Sequence, residues 1–386
     1  MSVNNSTPDA VMATAPVELK ELPSYTYRFM ERLLLLGAAV IGIASLLFHG
    51  AFSVAIAIAA VGVCAFWLVA RWRLGAALLT GLASLGLASY QIDQVHLSES
   101  VNSGFWWQVV AGWMLAWACV EQLAAIRTLS RPYRLLLDIV IPVLFGIWLL
   151  ILWELLTRGL NVPQVLLPSP GLIAERFTSS TSILWADFQQ TFLKAVLIGY
   201  ALGCGGGFIV AILIDRSPFL QRGLLPIGNL VAALPIVGVA PIMVMWFGFD
   251  WPSKAAVVVI MTFFPMLVNT VAGLAAAQPM QHDLMKTYAA SYWQSLFKLR
   301  IPEALPFIFN ALKINSTLAM IGAIVAEFFG TPTVGMGFRI STEVGRMNVD
   351  MVWAEIAVAA LAGSLFYGLI ALIEKLFTFW HPSNRG

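Results

Sequence analysis

Gln278 to Pro302, QPMQHDLMKTYAASYWQSLFKLRIP, is the one long polar interruption between strongly apolar segments of the chain. It lies between a helix-length apolar run ending at Ala277 and another starting near Leu305. A tight turn needs only a few residues, so a stretch of this length carries structure of its own. Asp283, Lys286, Lys298 and Arg300 give it charge, and Ala289, Ala290 and Ser291 form a small-residue centre. The pattern predicts two short helices meeting at those small residues, a surface that another protein can grip.

Around this excursion the composition is that of a membrane protein. Of 386 residues, 60% are hydrophobic and only 11% charged, far from the roughly half and quarter of a soluble domain. Hydrocarbon about 30 Å thick requires runs of about 20 apolar residues in a helix, and unpaired backbone is too costly there for isolated strands. The expected fold is all-α and polytopic, with about ten transmembrane helices. Apolar windows fall near 33–49, 52–70, 74–90, 105–126, 135–156, 191–214, 224–247, 255–277, 305–328 and 352–379. The net charge of +2 argues against a nucleic-acid partner. Cys64, Cys119 and Cys204 lie far apart in apolar runs, with neither zinc-site nor disulfide spacing.

Lys and Arg in the short loops set the orientation. With the N-terminus in the cytoplasm, 15 of the 22 basic residues fall inside, six outside, and Lys313 within a span. Both termini and the excursion are therefore expected on the cytoplasmic side. Residues 1–28 form a polar tail without a signal-peptide pattern. The basic segment RTLSRPYR, Arg127 to Arg134, separates four helices over 29–130 from a core over 131–386. NVPQVLLPSPGLIAERF, from Asn161, has too many prolines to span and is expected to lead into a short interfacial helix near Pro170. Gly199, Gly203 and Gly207 form a small-residue ridge suited to close helix packing.

Several residues are candidates for a solute path. Pro235, in the ALPIVGVAP stretch, bends its helix and frees backbone carbonyls. Met266 and Met320 are adaptable gate candidates; Asn269 and Asn315 offer uncharged hydrogen-bonding groups that serve equally as helix glue. Glu327 can line a path or cap a neighbouring helix, and Lys313 can snorkel to the interface. No metal site is expected, because His49, His96, His282 and His381 are scattered without ligand spacing.

Residues 135–380 resemble the inner-membrane permease subunits of ATP-binding-cassette importers, in the branch serving sulfonates, taurine, nitrate and some vitamin precursors. WELLTRGLNVPQVLLPSP, LPIVGVAP, WFGFDWPSK, FFPMLVNTVAGL, DLMKTYAASYWQSLFKLRIPEALP and IGAIVAEFFG carry the resemblance in order. The family's cytoplasmic loop has an acidic residue and an Ala, then Gly-Ala-Ser, a Gln, a basic residue and two prolines. Asp283, Ala290, Ser291, Gln294, Lys298, Pro302 and Pro306 fit; Met285 replaces the Ala and Ala289 the Gly. Ala lacks the positive-φ freedom of Gly, which bears on the turn between the loop helices.

The resemblance implies a six-helix type I importer core preceded by four extra helices. It implies that the loop, Lys286 included, is a coupling helix docking on a cytoplasmic ATPase dimer, with a second permease copy and a periplasmic or lipoprotein solute-binding protein. The chain has no GxxxxGK[ST], so ATP and Mg²⁺ are expected on the partner ATPase, and this subunit is not itself an enzyme. The multi-pass inner-membrane location adds lipid as a partner. YAAS followed by KLRIPEALPFIFNALKI is most similar to members handling riboflavin or pyrimidine-type vitamin precursors. The alternative is a secondary transporter driven by an ion gradient, which would need inverted repeats and midplane ionisable groups.

Overall fold

The structure, a computed structural model, describes residues 32–41, 52–69, 73–97, 103–126, 131–232, 234–330 and 333–379. The tail at 1–28 and residues 127–130 of the basic segment lie outside them. All secondary structure among the described residues is helical. In chain order the helices are α1 (Arg32–Ile41), α2 (Phe52–Val69), α3 (Arg73–Leu97), α4 (Ser103–Ala124), α5 (Arg131–Gly159), α6 (Pro170–Ser179), α7 (Thr181–Phe188) and α8 (Leu197–Arg216). There follow α9 (Pro218–Ala232), α10 (Ile236–Phe247), α11 (Trp251–Leu274), α12 (Pro279–Thr287), α13 (Tyr292–Ser295), α14 (Ile301–Glu327), α15 (Met336–Gly345) and α16 (Val349–Phe377). Two π-helical segments, Gln189–Val196 and Leu296–Arg300, join α7 to α8 and α13 to α14 without a break.

Among the described residues, six helical segments are long and apolar enough to cross a membrane: Leu74–Gln94, Leu135–Gly159, Thr181–Arg216, Trp251–Leu274, Tyr292–Glu327 and Val349–Phe377. Arg32–Ile41, Ile56–Phe66 and Ile236–Phe247 are shorter apolar helices. The window at 224–247 is not one helix. Pro235 is the N-cap of α10 with extended backbone, φ −67° and ψ 118°, because a proline ring opposes helical backbone in the residue before it and removes a donor.

The chain forms two compact units that divide between Val162 and Pro163. In the first, α5 packs on α3 and α4, although the basic segment precedes α5 in the sequence. Small residues let α3 and α4 approach: Gly81 lies against the Cys119 sulfur and Gly112 against Leu87. Within this pair the Thr80 hydroxyl donates to the Ala76 carbonyl at 2.9 Å and meets Gln122 Oε1 at 3.4 Å. Leu35, Ala38, Ala65, Ala76 and Leu115 form the buried apolar centre. Cys119 is buried and Cys64 exposed, both as free thiols.

In the second unit α11 is central, packing on both α8 and α14. The glycine ridge fulfils its expected role. A methyl group at Gly199 would fall 2.6 Å from Val258 Cβ, one at Gly207 2.5 Å from the Phe263 carbonyl oxygen, and one at Gly203 onto the Thr262 hydroxyl. Asp250 starts α11 by accepting the Trp251 N–H at 2.8 Å, and that N–H holds its carboxyl below the usual carboxylate range. The short helix expected near Pro170 is α6, with the proline in its first turn.

Candidate functional site

The polar excursion folds as the two helices expected, α12 and α13. Pro279 opens α12 in the first turn, where its missing N–H is not needed. The Gln278 N–H donates to Gln281 Oε1 at 2.8 Å, closing a capping box. The chain leaves α12 through Ala289, whose φ is +51°. Its N–H returns to the Lys286 carbonyl at 2.8 Å, and the Ala290 N–H to that of Met285 at 3.0 Å. Ala therefore occupies the left-handed position that Gly would take more readily. Ser291 then caps α13 and accepts the Gln294 N–H, while its own N–H donates to Gln294 Oε1 at 2.8 Å.

All nine residues expected in the loop lie on this excursion. Asp283, Lys286, Ala289, Ser291, Gln294 and Lys298 are exposed, with Met285, Ala290 and Pro302 partly buried. The Lys286–Asp283 ion pair, at 3.2 Å, has side chains 79% and 73% exposed, so it contributes about 0–1 kcal/mol. The sequence reading did not single out the apolar knobs. Met280, Leu284 and Tyr288 recur at i, i+4 along α12 and are 82%, 58% and 78% exposed. Trp293 and Phe297 stack with centroids 6.0 Å apart and are also exposed. Their fourfold spacing is the signal that would have found them.

Beneath the exposed face is a nearly buried ionic junction, also missed in the sequence. Arg300 donates from Nη1 to Asp215 Oδ2 at 2.7 Å and from Nη2 to Oδ1 at 2.5 Å, and from Nε to the Leu274 carbonyl at 3.0 Å. The Tyr292 hydroxyl donates to Asp215 Oδ2 at 2.9 Å. Arg216 lies over the rings of Tyr292 and Trp293, 5.7 and 5.9 Å from their centroids. The ends of α8 and α11 thus meet the second loop helix.

Of the six expected path residues, Met266 and Asn315 meet at Cys204, and none is among the described residues lining the cavity beside Pro235. Pro235 is exposed at the break between α9 and α10. Its neighbours Leu234 and Ile236, with Val239, Met261, Pro265 and Leu318 among others, line a cavity of about 130 Å³. Among the described residues that line it, none is charged. Met266 is buried with Cys204, Leu274 and Ile308, and Met320 with Val258, Ala323 and Met336. Asn269 donates to the Pro265 carbonyl of its own helix at 2.8 Å. Asn315 is buried and donates to the Thr262 carbonyl at 2.8 Å and to the Cys204 sulfur at 3.2 Å, tying α14 to α11 and α8.

Glu327 is also enclosed, at the end of the unit opposite the excursion. It accepts the Thr191 hydroxyl at 2.8 and 3.0 Å and the Gly337 N–H at 2.7 Å. Thr191 accepts the Met336 N–H at 2.8 Å, and Asp187 accepts the Gly335 N–H at 2.6 Å and Arg339 Nε at 2.8 Å. These carboxylates hold the first turn of α15. Lys313 pairs with Glu374 at 2.7 Å, each side chain about one-fifth exposed.

These spans, the excursion and the broken helix define a multi-pass helical membrane protein with a structured polar excursion. Residues 203–379 match the family described as binding-protein-dependent transport system inner membrane component. The formylaminopyrimidine transport permease protein ThiX of Halalkalibacterium halodurans is 32% identical over 243 residues, 63% of this chain and 96% of the relative. The riboflavin transport system permease protein RibX of Chloroflexus aurantiacus is 32% identical over 237 residues, 61% of this chain and 88% of the relative. The taurine transport system permease protein TauC of Escherichia coli is 27% identical over 260 residues, 66% and 92% of the two chains. The chain belongs to this family, the inner-membrane permease components of ATP-binding-cassette importers.

Proposed function

We propose that this chain is the permease subunit through which an ATP-driven importer passes a small organic solute from an external binding protein to the cytoplasm. The observation that carries the reading is the excursion itself, with Met280, Leu284, Tyr288, Trp293 and Phe297 exposed on a rigidly capped pair of short helices. Such knobs suit a groove on a cytoplasmic ATPase dimer, which would bind ATP and Mg²⁺ and do the hydrolysis. ATP binding draws the two ATPase subunits together, the excursions of two permease copies move with them, and the spans alternate between outward and inward access. This reading puts both termini and the excursion in the cytoplasm.

The cargo we favour is a neutral heteroaromatic vitamin precursor, of the riboflavin or pyrimidine kind, over a sulfonate, taurine or nitrate. The described residues that line the cavity beside Pro235 are apolar, with no Lys or Arg among them to match an anion. The two relatives at 32% identity have formylaminopyrimidine and riboflavin in their names.

The test is co-purification of the chain with its candidate ATPase and binding protein, followed by a ligand screen on the latter with riboflavin, pyrimidines, sulfonates and nitrate. A stable complex and one tight heteroaromatic ligand are expected, and removing residues 286–298 should abolish ATPase capture while sparing membrane insertion. Capture that survives the deletion sinks the docking surface, and a tight sulfonate or nitrate sinks the cargo. Solute movement in liposomes under an ion gradient, with no ATPase present, would replace the importer reading with a secondary transporter.

A further inference from the structure

We propose that the Asp215–Arg300 fork is the joint that carries movement of the excursion into the ends of α8 and α11. The proposal rests on the importer reading above. Three observations converge on it.

The first is where the fork sits. Arg300 is the last residue of the π segment Leu296–Arg300, where the second loop helix becomes the span α14. A π turn inside a long α-helix is a local departure that tends to mark function. Motion of α13 reaches α14 directly through this continuous helix. The other two spans are reached through side chains: Arg300 grips Asp215 at the end of α8 and the Leu274 carbonyl at the end of α11.

The second is its strength relative to the surrounding charges. The Arg300 and Asp215 side chains are 16% and 13% exposed and meet in a planar two-bond fork, the geometry in which Arg recognises a carboxylate most specifically. The Lys286–Asp283 pair on the same excursion is open to solvent and attached at one point. Of these two ion pairs, the fork is the one whose enclosure and two-bond geometry suit it to transmit displacement.

The third is the grip on α13 itself. Tyr292 donates to the same Asp215 oxygen that Nη1 reaches, and Arg216 covers the rings of Tyr292 and Trp293. If a bound partner displaces Trp293 and Phe297, α13 must either break this junction or carry the ends of α8 and α11 along. Arg300 and Asp215 are positioning residues in this scheme; they touch neither cargo nor nucleotide.

The test reads movement, since the cargo is unidentified. Leu234→Cys places a thiol at the cavity wall, and its reaction rate with a maleimide is measured in the assembled permease–ATPase complex, with and without Mg²⁺–ATP and vanadate. Background from Cys64, Cys119 and Cys204 is subtracted using the chain without the added cysteine. With the fork intact, nucleotide should change the labelling rate by at least about tenfold, within the range of coupling between distant sites. Arg300→Lys keeps the charge but loses the two-bond geometry, and Asp215→Asn loses the charge. Both should flatten the nucleotide response in complexes that still contain the ATPase and hydrolyse ATP. The exchanged pair Asp215→Arg with Arg300→Asp should restore part of it, which distinguishes a joint from a general packing defect and decides the matter if a single variant does not assemble. A wild-type response in assembled Arg300→Lys and Asp215→Asn complexes overturns the joint alone. Failure of the unmodified chain to capture any ATPase overturns the importer reading, and the joint with it.

Discussion

Glu327 keeps an ionisable side chain within a helical bundle because donors from two directions reach it. Thr191, 136 residues earlier, offers its hydroxyl, and Gly337, ten residues later, its N–H. The sequence left two roles open for Glu327, path lining and capping, and the structure shows contacts of the second kind, since the carboxylate anchors the first turn of α15. Those partners were not legible because nothing local marks Thr191 as facing the far end of α14. Gly335 and Gly337 carry a related signal, for a Cβ at Gly335 would sit 2.8 Å from the Glu327 carboxylate. Removing the carboxylate leaves a buried hydroxyl and a buried N–H unmatched. Glu327→Ala should therefore destabilise the purified chain by about 2–3 kcal/mol, against about half that for Glu327→Gln, which keeps one acceptor. Denaturant titration in detergent checks this, and equal losses for the two variants would mean that packing, not hydrogen bonding, holds α15.

Among the elements, apolar length found the spans and missed their continuity. The sequence separated the excursion from the following span at Pro302, because the polar stretch ends there and the next apolar run starts near Leu305. Helix instead runs from Tyr292 to Glu327, since Pro302 lies in the first turn of α14 and the Ile301 N–H reaches back to the Leu296 carbonyl across the π segment. The bend at Pro235 was legible, but the full break of the window at 224–247 into α9 and α10 was not. Pairing between spans was equally hidden: Lys313 and Glu374 are 61 residues apart in sequence and in contact at 2.7 Å. Two charges held this way are costly to separate, so Lys313→Met alone should lose about 2–4 kcal/mol. The double variant with Glu374→Leu should recover most of that, and a cycle of unfolding measurements on the two singles and the double gives the coupling. Additive losses would show that the ion pair does not bind α14 to α16.

For the whole molecule, the family match ends at residue 379 and begins only at residue 203. A 243-residue stretch of this chain accounts for 96% of one relative, so more than a third of the chain has no counterpart there. The sequence assigned the four early helices no motif, and the first compact unit shows close helix packing around Thr80 and Gln122, with a cavity of about 20 Å³ lined by Ser84, Gln91 and Trp148 among others. We expect a chain lacking residues 1–126 to insert and to capture the ATPase in pull-down at near the full-length level. Loss of capture in a correctly inserted protein would give those helices a part in assembly.

A last consequence concerns length. The π segment at Leu296–Arg300 holds one more residue than an α-helical ladder over the same hydrogen-bonded rungs. Each residue of an α-helix turns the chain by about 100°. Deleting one of the five would let the helix close as plain α with its flanks facing nearly as before, whereas deleting a residue from the α-helical stretch that follows would swing Trp293 and everything before it by roughly a quarter of a revolution about the axis of α14. The exposed aromatic face and the first turns of α14 thus keep their relative directions by residue number, and the π segment is the one place in that stretch with a residue to spare.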